Sequence, residues 1–564
     1  MPKNFARLVF ILTTVFFCAF FLWPVLQILK GGFIDADGKL TFAYLATLLS
    51  DPLYTSALGN SFLLALTTTV FALLIALPLA FITDRFVFPA KGFLSSIILV
   101  PMILPPFVGA IGIKQILGQY GALNSLLIDI GLRPAGWTFD WLGANQFLGI
   151  ALVNAFSLYP IIYLNAVAAL ANIDPAMEEA AENLGCIGFR RFFKITLPLI
   201  KSGLFAGGTI VFIWAFTDLG VALIFDYSHV TSVQIFYGLK DIGGNPAPYA
   251  LVAVMLFSSV LFYAVGKGLF GRDSFAMMAK ATSGGGPAPL PRMRAWFCTG
   301  LFGLITFIAI LPHLGVVLVA LSSDWYATVL PHNFNLHNFQ IALGHDLTVP
   351  AIANSLKYAS IATVIDLALG IVLAYVIVRT KIAGRQLLDF LAMMPLAVPG
   401  LVLAFGYLAM SQDGKFFSFL NPTVDPTMLL IIAYSIRRLP YVVRSASAGF
   451  QQTSETLEEA AQNLGCPPLK AVYKITLPLI MANLIAGGLL AFAFAMLEVS
   501  DSLVLAQKQA YYPITKAIYE LFQLLGDGKY IASALGVWAM AFLGIIISGM
   551  TILLGKKLGA IFRV

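Results

Sequence analysis

Apolar runs of about twenty residues recur along nearly the whole chain, and a run of that length spans a bilayer as a helix. Barrel strands would instead show about ten residues of alternating polarity. Because lipid offers backbone polar groups no partners, each run is expected to be helical. The sequence therefore predicts an all-α integral membrane protein with about twelve transmembrane helices. The predicted spans are residues 6–29, 62–83, 93–115, 147–170, 202–225, 247–270, 295–321, 354–378, 387–410, 427–448, 482–505 and 530–554.

Composition and charge exclude other classes of protein. Of the 564 residues, 59% are hydrophobic, which exceeds the roughly 45–50% of soluble domains. The net charge is +7, but the charged residues lie in short clusters between apolar runs rather than in one basic stripe. A lipid bilayer is therefore expected as a partner, and nucleic acid is not. The four scattered cysteines indicate neither a disulfide framework nor a metal site.

The distribution of Lys and Arg predicts how the chain is oriented in the membrane. With the N-terminus in the cytoplasm, most basic residues fall on the inner side, and residues 321–353, which contain none, fall outside. An even number of spans returns the C-terminus, with Lys556, Lys557 and Arg563, to the cytoplasm. The first apolar run is long enough to be a retained span rather than a signal peptide.

The two halves of the chain repeat each other. The pair Asn60-Ser61 reappears as Asn354-Ser355 at the start of the second span of each half. The repeat divides the predicted spans into six and six, so both halves face the same way, as a parallel 6+6 internal repeat. The predicted units are a first domain of six spans at 1–270, a cytoplasmic linker rich in Gly, Pro and Ser at 271–294, and a second domain of six spans at 295–564.

Two charged segments lie between the apolar runs. Residues 178–200 and 458–480 agree at 15 of 23 positions. Asp174 and Pro175 are suited to start a helix and Gly185 to end it, so each segment should form a short helix, a glycine turn and a second helix. Topology alone requires positive charge, not a fixed order of Glu, Ala and Gly. The repeated order predicts a docking surface used twice, by a partner with two equivalent binding sites.

This order of residues resembles the EAA loop of bacterial ABC importer permeases. In the first segment, Glu179-Ala180-Ala181 is followed by Gly185 and by Ile195-x-Leu197-Pro198. The second segment repeats the pattern with Glu459-Ala460-Ala461, Gly465 and Ile475-x-Leu477-Pro478. Two such halves in one chain resemble the fused, binding-protein-dependent permeases for ferric iron, 2-aminoethylphosphonate or thiamine. The resemblance covers essentially the whole chain and implies a fold like that of type I ABC importers.

The resemblance also implies roles and partners. The residues expected to couple the chain to an ATPase are Glu179, Ala180, Ala181, Gly185, Glu459, Ala460, Ala461 and Gly465. The implied partners are a dimer of cytoplasmic ABC ATPase subunits and an extracytoplasmic substrate-binding protein, around a multi-pass permease in the bacterial inner membrane. No G-x-x-x-x-G-K-[ST] loop occurs, so the chain is not expected to be an enzyme or to carry a cofactor, and ATP and Mg would bind the partner ATPase. Ferric iron is the first expected substrate.

Charged residues also fall inside predicted spans, where they are costly and therefore candidates for function. Arg437 and Arg438 lie deep in the tenth predicted span, and their repeat counterparts are Ser157 and Leu158. The acidic residues expected within reach are Asp366, Glu498 and Asp501, with Asp218 as the repeat counterpart of Glu498. Three interpretations stay open: an ion pair between helices, a polar lining of the transport pathway, or a misplaced span boundary.

Prolines interrupt the third predicted span of each half. Pro101 and Pro105 in the first half match Pro395 and Pro399 in the second. Proline removes a backbone hydrogen bond and kinks a helix. The kinks are interpreted either as gating elements or as static bends for packing.

Other functions were weighed against an ABC importer. His229, His332, His337 and His345 lie in predicted outside segments, but their spacing matches no ligand motif, so no metal site is predicted. A secondary transporter driven by an ion gradient also suits a parallel repeat of six spans. A membrane scaffold without transport is a third alternative. Neither alternative requires the repeated charged segments.

Overall fold

A computed structural model describes residues 3–35, 37–103, 105–143, 146–242, 244–270 and 288–554. These residues are mostly helical, which confirms the predicted fold class. A single pair of two-residue strands was not predicted: β1 (Phe86–Val87) pairs in parallel with β2 (Ala288–Pro289), and Phe86 lies opposite Ala288. The predicted linker at 271–294 lies outside the described residues except for its last seven.

Helices of the first half include five long enough to span a bilayer and several short connecting ones. Their bounds are α1 Lys3–Phe17, α2 Trp23–Phe33, α3 Ala43–Ser50, α4 Pro52–Arg85, α5 Lys91–Ile97, α6 Val100–Ile103, α7 Pro106–Leu117, α8 Ala122–Asp129, α9 Phe147–Ala171, α10 Pro175–Asn183, α11 Gly188–Arg191, α12 Leu197–Phe216, α13 Gly220–Ile224, α14 Thr231–Gly238 and α15 Ala247–Phe270. A π-helical turn, Cys18–Leu22, joins α1 to α2 into one span.

The second half repeats this order of elements. Its helices are α16 Arg292–Leu321, α17 His337–Gly344, α18 Thr348–Arg379, α19 Arg385–Met393, α20 Gly400–Met410, α21 Thr427–Gln452, α22 Thr456–Asn463, α23 Pro468–Ala471, α24 Leu477–Leu479, α25 Met481–Met496, α26 Ser500–Leu505, α27 Ile514–Phe522 and α28 Gly528–Leu554. Matching π-helical turns, Phe192–Thr196 and Val472–Thr476, lead into α12 and α24.

The number of spans is less than twelve by hydropathy and length alone. Within the described residues, eight helices are long and apolar enough to cross a membrane, or up to eleven if each bent pair of helices is one span. The 26-residue helix α21 is not among them. It carries Arg437, Arg438 and Arg444, so its charge is too high for hydropathy to identify it as a span. Twelve spans in two sets of six stays a prediction.

Four predicted spans are not continuous helices. The breaks in the third span of each half were expected from their prolines, whereas the breaks in the other two were not. The predicted span 387–410 breaks between Leu396 and Gly400, where the axis turns by 100°. The predicted span 93–115 likewise breaks ahead of Pro106. The predicted spans 202–225 and 482–505 end early, because α12 stops at Phe216 and α25 at Met496. Each then resumes as a short helix, α13 or α26.

Local chemistry accounts for these breaks. Pro105 and Pro399 stand at the N-caps of α7 and α20, in extended conformation, where proline can begin a helix but not continue one. The breaks after α12 and α25 coincide with Asp218 and Glu498. The Ser500 backbone N–H donates to the Glu498 carboxylate at 3.2 Å, so the acid accepts a hydrogen bond that an uninterrupted helix would not offer it.

The first span of each half packs against the opposite half. The helix α2 lies against α20, and α16 lies against α7. Buried apolar side chains from both halves form one continuous core. The two sequence repeats are therefore interlocked in space.

Equivalent polar contacts recur in the two halves. The Asn60 side chain donates to the His229 carbonyl oxygen at 3.0 Å, and the matching Asn354 donates to the Ala510 carbonyl oxygen at 2.9 Å. The hydroxyls of the next residues are matched as well, but as acceptors: Ser61 accepts from the Thr231 backbone N–H at 2.8 Å, and Ser355 accepts from the Ile514 backbone N–H at 2.7 Å. These bonds hold the start of α4 to α14, and the start of α18 to α27.

Candidate functional site

A central cavity of about 210 Å³ lies where the two halves meet, beside all four interrupted spans. Most of the charged residues and prolines that were predicted as functional within the spans line this cavity. Those that line it are Pro105, Pro395, Pro399, Asp218, Arg437, Arg438 and Glu498. Pro101 and Asp501 do not line it. Asp501 nevertheless contacts Arg437, one layer behind the cavity wall.

Two arginines and two acids form one buried network on the second-half wall of the central cavity. An Nη1 atom of Arg437 lies 2.5 Å from Glu498 Oε1 and 3.3 Å from Asp501 Oδ2. Arg438 pairs with the other Glu498 oxygen and also donates to the Phe494 carbonyl oxygen at 3.1 Å. Glu498 is therefore held between two guanidinium groups. A charge buried in a membrane protein has a low energy only when it is paired in this way.

The first-half wall of the central cavity is different. Asp218, the repeat counterpart of Glu498, accepts a hydrogen bond of 3.4 Å from Asn154. Among the described residues no Lys or Arg forms an ion pair with it. Ser157 and Leu158 stand where the second half has Arg437 and Arg438. The cavity is thus lined by a neutralised cluster on one side and a lone carboxylate on the other.

Asp366, which the sequence placed within reach of the arginines, has another partner. It lies fully buried in α18, and the Ser435 hydroxyl donates to its Oδ1 at 2.5 Å. Its Oδ2 has no hydrogen-bond partner within the described part of the chain. Asp366 therefore ties α18 to α21 behind the cavity and does not line it.

Gly400 provides the space for the Arg437 guanidinium. A side chain at position 400 would overlap the Arg437 Nη and Cζ atoms. At the matched position in the first half stands Pro106, and opposite it the small Ser157. The guanidinium thus lies against the backbone at the break in the ninth predicted span. Relative to the first half, the second half thus has both a smaller residue at position 400 and a larger one at position 437, which occupies the space.

Two residues related by the repeat contact each other at the wall of the central cavity. Trp214 and Phe494 occupy matched positions in α12 and α25, and their rings pack edge to face with centroids 6.4 Å apart. Nearby, Gly220 at the start of α13 lies against Val499, the residue just before its own repeat counterpart Ser500. Contacts between matched residues occur only near an axis that relates the two halves. The interrupted spans therefore meet on that axis.

Two exposed helical hairpins carry the repeated charged segments. The first hairpin is α10 with α11, residues 175–191, and the second hairpin is α22 with α23, residues 456–471. Gly185 and Gly465 turn each hairpin with φ of 76° and 86°, a left-handed conformation that glycine adopts without steric cost. The neighbouring Leu184 and Leu464 are 87% and 90% exposed. Each hairpin therefore presents a large apolar side chain directly beside its glycine turn.

A buried glutamate anchors each hairpin, and sequence reasoning missed it. Glu178 accepts from the Thr196 hydroxyl at 2.7 Å and pairs with Arg85, the last residue of α4, at 2.5 Å. Glu458 accepts from Thr476 at 2.8 Å and lies 3.5 Å from Arg379, the last residue of α18. A signal was present, since all six of these residues recur at matched positions of the repeat.

The residues that sequence assigned to coupling lie beside these anchors. Glu179, Ala180, Glu459 and Ala460 are exposed on the outer faces of α10 and α22. Ala181 and Ala461 face inward, and the exposed fraction of Ala181 is only 6%. Within each pair of glutamates one therefore fixes the hairpin to the spans and the other is available to a partner.

No metal centre is present in the described part of the chain, since no three His, Cys, Asp or Glu side chains come together there. The histidines of the predicted outside segments stay apart, and His345 Nδ1 instead accepts from the Leu347 backbone N–H at 3.2 Å. The fifth histidine, His313, is buried in α16 against Gly109 of α7. It packs between helices outside the central cavity.

The sequence matches one family model in two segments, one in each half. Residues 76–275 and 366–558 match the family described as binding-protein-dependent transport system inner membrane component. The ferric transport system permease protein FbpB of Actinobacillus pleuropneumoniae is 27% identical over 505 residues, which cover 87% of this chain and 70% of that protein. The Fe(3+)-transport system permease protein FbpB 2 of Haemophilus influenzae is 22% identical over 566 residues, or 99% and 98% of the two chains. The spermidine/putrescine transport system permease protein PotB of Haemophilus influenzae is 30% identical over 197 residues, or 34% of this chain and 68% of that one.

Proposed function

The chain belongs to the family of binding-protein-dependent transport system inner membrane components, and on that premise we propose that it is the permease subunit of an ATP-driven ABC importer. Membership makes it a multi-pass membrane permease. The source of energy, the partners and the substrate are the parts we propose.

One observation carries the proposal of an ATPase partner: the two hairpins are anchored in the same way. Each presents an exposed glutamate and leucine beside a buried Glu–Arg ion pair at the end of a spanning helix. Two like surfaces suit a partner with two like binding sites, namely a dimer of ABC ATPase subunits. ATP and Mg²⁺ would bind that dimer, and no cofactor is proposed for this chain.

The proposed topology has twelve spans in two sets of six. To the eight single spans and three bent pairs it adds α21, whose arginines are paired inside the protein rather than exposed to lipid. Both termini and both hairpins would then face the cytoplasm, as the Lys and Arg distribution favours. An external binding protein would deliver substrate to the opposite side.

The central cavity is the proposed substrate pathway. It lies on the axis between the halves and is bounded by helix breaks, so a relative rotation of the halves would open or close it at Trp214 and Phe494. Because Arg85 and Arg379 end α4 and α18 and also hold the hairpins, ATPase closure against the hairpins would move these long helices directly. This is alternating access with the force applied at the hairpins.

Ferric iron is the substrate we propose, with 2-aminoethylphosphonate and thiamine next. Relatives that cover most of the chain are named for ferric transport, although the shorter match is named for spermidine and putrescine. The charges around the central cavity favour a cation: the two guanidinium groups are balanced by Glu498 and by Asp501 behind the cavity wall, and Asp218 on the opposite wall has no basic partner among the described residues. The uncompensated carboxylate would attract positive charge into the pathway.

Reconstitution tests the proposal. The chain is purified with and without a co-expressed ABC ATPase and placed in liposomes with the binding protein outside. ATP-dependent uptake of ferric iron, and none of the other two compounds, is the expected result. Uptake by the chain alone, driven by an ion gradient, would instead identify a secondary transporter. Strict dependence on ATP with another compound would retain the importer and reject iron.

A further inference from the structure

A second cavity, away from the central one, lies between α1 and the turn that joins α18 to α19. Its volume is about 570 Å³. Three basic side chains line it, Arg7, Arg379 and Lys381, together with Phe10, Ile11 and Tyr375. We call it the basic cavity. Of the residues that line it, only Arg379 has a role in the proposed transport cycle.

The basic cavity lies at the level where two spans end. The apolar run of the first span begins at Ala6, and α18 ends at Arg379. Phe10 packs directly on Gly384 in the α18–α19 turn, which fixes α1 against that turn. One end of the cavity therefore faces the polar boundary of the bilayer. Its other wall, with Phe10 and the 56% exposed Ile11, continues along the lipid-facing side of α1.

The charges of the basic cavity are only partly compensated. Arg379 is engaged by acids that do not line the cavity: it pairs with Glu455 at 3.2 Å and Glu458 at 3.5 Å. Arg7 and Lys381 form no ion pair with any acid in the described part of the chain. Two cations beside a third repel one another unless an anion lies between them.

We propose that the basic cavity binds the headgroup of an anionic phospholipid, with its phosphate near Arg7 and Lys381 and an acyl chain along Phe10 and Ile11. The cavity offers a binding surface for each part of such a lipid. The cations at the membrane boundary would bind the phosphate, and the apolar wall running into the bilayer would bind the acyl chain. Free phosphate would satisfy the cations but leave the apolar wall uncovered. A zwitterionic lipid would cover the wall but bring no net negative charge.

The bound lipid would contact a residue that holds the second hairpin. Arg379 is shared between the basic cavity and the second hairpin, because its guanidinium contacts Glu455, Glu458 and the Thr453 carbonyl oxygen. In the first half Arg85 is matched to Arg379, but Val87 stands at the position matched to Lys381. The matched position of the first half therefore lacks one of the two proposed phosphate-binding cations, and the membrane composition would act on the two coupling surfaces unequally.

The test measures lipid bound to the purified full chain in an uncharged detergent. Phosphatidylglycerol, phosphatidylcholine with the same acyl chains, and inorganic phosphate are added separately, and bound lipid is counted by native mass spectrometry beside the thermal unfolding midpoint. Phosphatidylglycerol is expected to bind and raise the midpoint, and the other two are not. The double variant Arg7→Gln with Lys381→Gln should weaken phosphatidylglycerol binding by a factor on the order of ten, because each cation contributes to headgroup affinity.

Two control variants separate the site from general charge and from misfolding. Lys39→Gln with Lys240→Gln removes the same charge from exposed positions elsewhere and should bind lipid as the wild type does. Arg7→Lys with Lys381→Arg keeps the charge at the site and should also retain binding. Equal binding of phosphatidylcholine, an equal shift with inorganic phosphate, or undiminished binding by the double glutamine variant would each overturn the proposal.

Discussion

Arg85 and Glu178 form a 2.5 Å ion pair between the last residue of α4 and the first exposed hairpin. The matched residues Arg379 and Glu458 lie 3.5 Å apart in the second half. Each glutamate also accepts a threonine hydroxyl from the π-helical turn that follows its hairpin. The hairpins are thus fastened to two spanning elements at once. A force on a hairpin would reach the membrane helices through a few short bonds.

Loss of the anchor should weaken the hairpin itself. Glu178→Ala leaves Arg85 with only its neighbour Asp84 as an ion-pair partner, and Thr196 without its acceptor. We expect a cost of about 1–3 kcal/mol in local or global stability. Transport should fall with it, because the hairpin would no longer be held against α4. Thermal unfolding and protease sensitivity of residues 175–191 measure the first effect. The exposed Glu179→Ala is the matched control, and an equal loss of stability in both variants would contradict the anchoring role.

Charge reversal at the exposed glutamates should uncouple transport without unfolding. Glu179→Lys with Glu459→Lys alters surfaces that contact nothing buried within the described chain, so the unfolding midpoint should stay the same. We expect ATPase activity of the assembled transporter to lose its dependence on substrate while uptake falls. Uptake at the wild-type rate in this double variant would reject the docking role of the hairpins.

Bulky residues at the hairpin glycines should strain the turn. Gly185 and Gly465 have φ of 76° and 86°, and a β-branched side chain there costs about 1–2 kcal/mol. Gly185→Val with Gly465→Val is therefore expected to distort both hairpins and reduce uptake. Asn tolerates this conformation better, so Gly185→Asn with Gly465→Asn should retain more activity. The order of the two variants in an uptake assay is the measurement, and the reverse order would exclude backbone strain as the cause.

Gly400 and Arg437 should show strong coupling in a double-mutant cycle. Gly400→Ala places a side chain where the guanidinium lies, and overpacking of this kind costs about 1–3 kcal/mol. Arg437→Ser restores the small residue that the first half has at the matched position. We expect the Gly400→Ala cost, measured by denaturant unfolding, to be smaller in the Arg437→Ser background than in the wild type. Strict additivity would mean that the two residues do not interact.

The two acids matched by the repeat should behave differently. Glu498 lies between two arginines, and Glu498→Ala should destabilise the protein by about 3–5 kcal/mol, the cost of unpairing buried charge. Asp218→Asn removes no ion pair, so the unfolding midpoint should change little while cation uptake falls. An Asp218→Asn variant that transports ferric iron normally would remove this carboxylate from the pathway.

Much of the architecture could be read from the chain alone. Hydropathy located the spanning regions and the recurrence of short motifs related the halves, because both signals depend on local residue order. The family resemblance rested on the hairpin segments and is confirmed by the match over both halves. The glycine turns at Gly185 and Gly465 also followed from sequence, since a left-handed turn is a local property.

Contacts between distant segments could not be read in the same way. Sequence singled out Glu179 and Glu459, whereas the buried partners of Arg85 and Arg379 are the preceding residues Glu178 and Glu458. Adjacent residues of a helix face different directions, and the direction that is buried depends on what packs against it. Sequence also predicted helical spans over 202–225 and 482–505 without the breaks after Phe216 and Met496, because hydropathy does not register where an acid interrupts a helix.

Local order along this chain thus determined that it is a helical membrane protein built from two like halves with two like exposed hairpins. Only the tertiary structure decided that the first span of each half packs on the opposite half, that Arg437 lies in the space left by Gly400, and that Trp214 contacts Phe494. The physical reason is that periodicity and turn chemistry act over a few residues. Burial, ion pairing and close approach depend on segments that are hundreds of residues apart in sequence and adjacent only after folding.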